Sequence, residues 1–85
     1  MKITIDSIRR AISYGHDCDL HRFSDQELLS ADFTRDLNMG NIRVANVFIE
    51  LQRIHGIFLP VEMFREMEDN TVGSFLKVAN KYLNC

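Results

Sequence analysis

The densest grouping of ligating and nucleophilic side chains in the 85-residue sequence is His16-Asp17-Cys18-Asp19-Leu20-His21. Imidazole, thiolate and carboxylate all bind transition metals. The spacing His-x-Cys-x2-His is not a standard zinc pattern, however, and no fourth ligand is evident, so a solvated loop without metal is expected. Cys18 lacks a recognisable base and orienting group, which makes an inert thiol the expectation. Cys85 is expected to be exposed. His55 follows an apolar helical run and is expected to pack against the core with one ring nitrogen satisfied. Nothing here assembles a catalytic set, and the chain is not expected to be an enzyme.

The elements that must position these residues are helical. Thr4 or Asp6 can cap a first helix whose stripe is Ile5, Ile8 and Ile12, joined by Ala11, and Gly15 is placed to end it. Residues 16–39 form a long, irregular loop with isolated anchors at Leu20, Phe23, Leu28, Leu29, Phe33 and Leu37. Within it a short helical turn is expected around Asp25–Leu29, capped by Ser24. From Asn41 to about Ile54 the spacing predicts the longest helix. At 100° per residue Val44, Val47, Phe48, Leu51 and Ile54 share one broad face, while Arg43, Asn46, Glu50 and Arg53 lie opposite. Ile42, Ala45 and Ile49 form a second apolar flank bordering the polar side. That flank either packs under the 16–39 loop or meets a partner. Asn41 is a favoured residue type for a helix N-cap or first turn.

Gly56 is placed to close this helix, and Pro60 bars its continuation. A short helical piece follows over Val61–Met67, with Phe64 and Met67 inward. Thr71 can then cap a final helix whose face is Val72, Phe75, Leu76, Ala79, Tyr82 and Leu83. The phenylalanines are expected in the core. The fold expected is all-α: a single 1–85 domain, a four-helix bundle with a short third helix and a long loop between helices 1 and 2.

Phe33-Thr34-Arg35-Asp36-Leu37, the amphipathic helix after it, Gly56-Ile57-Phe58-Leu59-Pro60 and Thr71-Val72-Gly73 together resemble the acyl carrier protein family. Order and spacing fit without gaps from Phe33 to Pro60 and more loosely to Leu83. The resemblance implies a bundle carrying acyl or peptidyl intermediates on a phosphopantetheine arm, attached to the serine of Asp-Leu-Gly-x-Asp-Ser-Leu. This sequence reads Asp36-Leu37-Asn38-Met39-Gly40-Asn41-Ile42. Asn41 occupies the attachment-serine position and Gly40 replaces the preceding acid. Arm transfer needs a hydroxyl oxygen to attack phosphorus, which a carboxamide cannot supply. Phosphopantetheine is therefore expected from the family but not on this chain.

Family members present an acidic second helix to basic enzyme patches, whereas Arg43 and Arg53 against Glu50 make this one net positive. Ile42, Ala45 and Ile49 nonetheless fall where the family meets its enzymes. Ile42, Arg43, Ala45, Asn46, Ile49 and Arg53 are thus the candidate partner contacts. The function expected is a non-phosphopantetheinylated carrier-like module of fatty-acid, polyketide or related secondary-metabolite biosynthesis, touching acyl-processing or synthase enzymes. The alternatives are a working carrier whose arm is attached otherwise, or an unrelated small helical regulator.

Composition sets the outer limits. A 9.9 kDa chain with 46% apolar and 26% charged residues can bury a modest core but has no room for a separate substrate domain. Ten basic against twelve acidic residues give a net charge of −2, with the acid excess in residues 1–40. No basic stripe matches a phosphate backbone, so nucleic acid is not an expected partner. No secretory leader, no membrane-spanning stretch and no disulfide framework are expected. A cytoplasmic monomer is expected.

Overall fold

A computed structural model describes residues 2–13 and 20–83. The chain is all-α. Among the described residues it forms helices α1 (Ile5–Ser13), α2 (Asp25–Ser30), α3 (Asn41–His55) and α4 (Val72–Leu83), with 3₁₀ segments at Leu20–Arg22 and Val61–Glu66.

Local sequence accounts for most boundaries. Of the two candidate caps for α1, Thr4 serves: its Oγ1 accepts the Ser7 N–H at 3.3 Å. The Gly15 stop for α1 lies outside the described residues. Ser24 and Glu27 form a reciprocal capping box at α2, the Glu27 N–H donating to Ser24 Oγ at 3.1 Å and the Ser24 N–H to Glu27 Oε1 at 2.9 Å. The 16–39 stretch is therefore less of a loop than expected. Gly56 takes the left-handed conformation at φ 61° and ends α3. Thr71 Oγ1 accepts the Ser74 N–H at 3.2 Å and caps α4.

The expected short third helix is a 3₁₀ segment, Val61–Glu66, entered from Pro60 in extended conformation. Its fully buried residue is Met63, with Phe64 and Met67 partly buried against the core. Three residues per turn aim Met63 inward, a direction the α-helical reading of this piece missed. On α4 the expected face is buried at Val72, Phe75 and Ala79, and Val78 joins it.

α1 packs on α3, while α2 and the Val61–Glu66 segment pack on α4. At the centre Phe75 stands edge-on to Phe33 and Phe48, with ring centroids 5.8 and 6.5 Å apart, and Phe64 lies 4.9 Å from Phe48. Such pairs add about 0.5–1.5 kcal/mol each beyond the area they bury. Phe58 is a correction: it is 81% exposed, not part of this core.

Polar clamps tie the ends and loops to the helices. The buried Ile3 donates its N–H to Asn80 Oδ1 at 2.7 Å and accepts from Asn80 Nδ2 at 3.0 Å, so one carboxamide on α4 satisfies both backbone groups of the N-terminal segment. Arg9 on α1 donates to the carbonyls of Leu20 and Phe23 at 3.0 and 2.8 Å and pairs with Asp25 at 2.9 Å. It thereby pins the start of α2. His55 Nε2 and the buried Ser7 Oγ share a 2.8 Å hydrogen bond between α3 and α1, as expected for a packed histidine with one satisfied nitrogen.

Candidate functional site

The residues before α3 are held by short-range hydrogen bonds that leave little freedom at its head. Asp32 Oδ1 accepts the N–H groups of Thr34 and Arg35, each at 2.9 Å, and Asp36 Oδ2 accepts the Asp32 N–H at 2.8 Å. These bonds hold the Asp32 carboxyl below its usual range, the Arg35 backbone N–H contributing most. An isolated antiparallel bridge, Asp32 to Thr71, joins the turn to the start of α4 through Phe33 N–H to Asn70 O at 2.9 Å and Val72 N–H to Ala31 O at 3.0 Å. Leu37 and Met39 anchor in the core on either side of Asn38, which alone among the described non-glycine residues has positive φ, 54°. Asparagine tolerates this conformation better than most side chains.

The chain then enters α3 at Gly40, the N-cap, which offers no side-chain hydrogen bond. Asn41 is thus the first helical residue and not the cap, and it is exposed. A phosphopantetheine arm does not fit the chemistry of this position. The side chain is a carboxamide, and neither neighbour, Gly40 nor Ile42, carries a hydroxyl. The Ser74 hydroxyl donates to Asp69 Oδ1 at 2.6 Å in the α4 cap, and Ser30 ends α2.

Along α3 the core face is Val47, Phe48 and Leu51, flanked by the partly buried Val44 and Ile54. Ile42, Ala45, Asn46, Ile49 and Arg53 are all exposed, as is Arg43. At 100° per residue, Ile42 and Ile49 lie within about 20° of each other and roughly opposite Leu51. The second apolar stripe therefore runs down the middle of the outer face, not along its border. Ile42 is 79% and Ile49 61% exposed. Packing under the 16–39 loop is ruled out for both.

Glu50 corrects the expected polar side. It is buried, at 8% exposure, and its carboxylate receives the Arg53 guanidinium in an i, i+3 pair. Arg53 donates from Nε to both carboxylate oxygens, at 3.0 and 3.1 Å. This hydrogen bonding, aided by the positive charge, holds the Glu50 carboxyl below its usual range against the opposing effect of burial. With Glu50 tucked in, the outer face of α3 shows arginines and no exposed carboxylate.

Two further exposed apolar residues follow the helix. The Leu59 N–H donates to Gln52 Oε1 at 2.8 Å, and Gln52 lies three residues, one turn, beyond Ile49. This bond ties the 57–60 segment to the last turn of α3. Phe58 and Val61, the latter 65% exposed, face solvent. The sequence assigned Phe58 to the core because it counted residue type. The signal it overlooked is the alternation Ile57-Phe58-Leu59, which buries Leu59 and must turn Phe58 away.

A cleft of about 340 Å³ lies beside α4, lined by Glu66, Glu68, Ser74, Lys77, Val78 and Lys81. Its charges are paired, Lys81 to Glu66 at 2.5 Å and Lys77 to Glu68 at 4.0 Å. No group of three histidine, cysteine or acidic residues that could hold a metal occurs among the described residues. His21 is exposed, while His16, Asp17, Cys18, Asp19 and Cys85 lie outside them. No described helix is long and apolar enough to cross a membrane. No protein-family model, curated protein or solved structure matches the chain.

Proposed function

We propose that this chain is a carrier-like interaction module: an acyl-carrier-type helical bundle that has lost the arm and works by protein contact, with acyl-processing or synthase enzymes as its partners. The observation that carries this reading is the two-sided character of α3. One side is core, and the other presents Ile42 and Ile49 at its centre, although a solvated helix of a small domain normally turns polar residues outward. Two further features support it. Asn38 adopts the left-handed conformation at the place where the resembled motif has glycine. Asn41 stands at the first position of the longest helix, where the motif has its serine.

No group-transfer step runs through Asn41. The chain's own residues do other work: Asp32, Asp36 and Asn38 fix the entry to α3, Glu50 holds Arg53, and the outer face makes the contact.

The test is incubation of the wild type and of Asn41→Ser with a broad-specificity phosphopantetheinyl transferase and coenzyme A, read by intact mass. The wild type is expected to keep its mass, and the serine variant to gain a phosphopantetheine increment. A gain by the wild type contradicts the loss of the arm. Failure of the serine variant to gain contradicts the carrier-like recognition surface and leaves the small helical regulator as the better reading.

A further inference from the structure

Ser7 and His55 bring a hydroxyl and an imidazole together where the start of α1 meets the end of α3. His55 Nε2 and Ser7 Oγ are 2.8 Å apart, a distance at which an imidazole can take a hydroxyl proton. Ser7 is the third residue of α1, and its Oγ lies 3.3 Å from the hydroxyl of the capping Thr4. His55 is the last residue of α3. The positive end of the α1 dipole favours negative charge developing on the Ser7 oxygen. The negative end of α3 favours a proton gained by the imidazole. Both effects act in the direction that activates a nucleophile. Asp6, the acid next to Ser7 in the chain, is exposed and lies about 100° round the helix from it. Ser7 itself is 7% exposed, but Thr4, which it touches, and Gly56, which follows His55, are both exposed. His55 is half-buried, and Ser7 is its one hydrogen-bond partner among the described residues. No buried side-chain nitrogen among those residues lacks a partner, so the remaining imidazole nitrogen reaches solvent, where a proton can leave.

We infer that Ser7 is a nucleophile with His55 as its general base, and that it takes up the acyl group of an activated carboxylic ester. The Ser7 oxygen attacks the carbonyl carbon while its proton passes to His55 Nε2. The bond from that carbon to the leaving oxygen then breaks, and the leaving oxygen takes the proton from His55. The products are a Ser7 ester and the released alcohol or phenol, with no change of oxidation state. No carboxylate bonds to His55 among the described residues, and the small opening at Ser7 suits a small acyl group. The chemistry is therefore a single slow acylation and not rapid turnover. A bond made only for helix packing would be indifferent to acyl donors. The assignment is independent of the carrier-like reading, since it uses neither Asn41 nor the outer face of α3.

Incubation of the full chain with p-nitrophenyl acetate, followed by peptide mapping with mass spectrometry, tests this. An acetyl ester is expected on Ser7 of the wild type, removable by hydroxylamine. It should form there faster than on Ser24 or Ser30, although those two are exposed and Ser7 is nearly buried. His55→Gln keeps a hydrogen-bonding side chain but no base, and should slow labelling of Ser7 about a hundredfold. Circular dichroism checks that this variant keeps the wild-type fold, and the map of the wild type decides without it. A Ser7 that stays unmodified while exposed serines carry the acetyl overturns the inference and leaves the pair as packing alone. Equal rates of Ser7 labelling in the wild type and in folded His55→Gln also overturn it.

Discussion

Asn38 and Glu50 are the two residues whose surroundings decide most about the head and the face of α3. The left-handed backbone at Asn38, φ 54°, strongly favours residues without a branched Cβ. Asn38→Gly should leave the melting temperature unchanged or slightly raised, whereas Asn38→Val should cost about 1–2 kcal/mol in chemical denaturation. Acid sensitivity also belongs to this scale. Glu27, Asp32, Glu50, Glu66 and Asp69 all have carboxyls held below their usual values, by Ser24 hydrogen bonds, the Arg35 backbone N–H, Arg53, Lys81 and the Ser74 hydroxyl respectively. A carboxyl depressed in the folded state stabilises fully above its unfolded value and loses that contribution as pH falls through the folded one. Thermal melts should therefore be nearly flat on mild acidification. They should then fall once pH drops below the ordinary values of 4.5 for Glu and 3.8 for Asp. Stability that rises through that window would contradict these pairings.

Among the elements, the α2–α4 contact leaves no room at Gly73. A Cβ at Gly73 would stand 2.8 Å from the Leu29 carbonyl oxygen, a backbone atom that cannot rotate away. Gly73→Ala should therefore destabilise by about 1–2 kcal/mol despite the better helix propensity of alanine, as overpacking outweighs it. Gly40 has open space around it, and Gly40→Ala meets no such clash. Asn80→Ala should cost about 2–4 kcal/mol, because it strands both polar groups of the buried Ile3 backbone. Denaturant titration reads both.

Most elements were legible because their signals are local. Ser24, Thr71, Gly56, and the run Val47, Phe48, Leu51 each speak within a few residues of themselves. What was not legible depends on direction or on distant partners. Met63 turns inward because the segment is 3₁₀ and not α. Glu50 is buried because Arg53 can reach it. Gly73 is needed because Leu29 arrives from another helix. The stripe Ile42, Ala45 and Ile49 could be listed from the sequence and lies opposite Leu51 by helix geometry, yet its exposure came only with the packing of the other elements.

Taken whole, the chain has a radius of gyration of 11.7 Å, close to the roughly 12 Å expected for a folded unit of this length. Its interior is complete: Phe33, Phe48, Phe64 and Phe75 meet at the centre, and no buried side-chain nitrogen or oxygen among the described residues lacks a hydrogen-bond partner. What is incomplete is the outside of α3, where apolar residues that a self-sufficient domain would bury stand in water. Leu51→Ala, on the core side, should cost about 2–5 kcal/mol, while Ile49→Glu two residues earlier should change stability by less than about 0.5 kcal/mol. Equal losses would mean that the outer face is not free.

On the function proposed above, the molecule works by contact, without a tethered thiol. Intact-mass measurement of the chain purified from its own cells tests it most directly. The account predicts a polypeptide with no phosphopantetheine on it. A native chain carrying that group at any residue would contradict it.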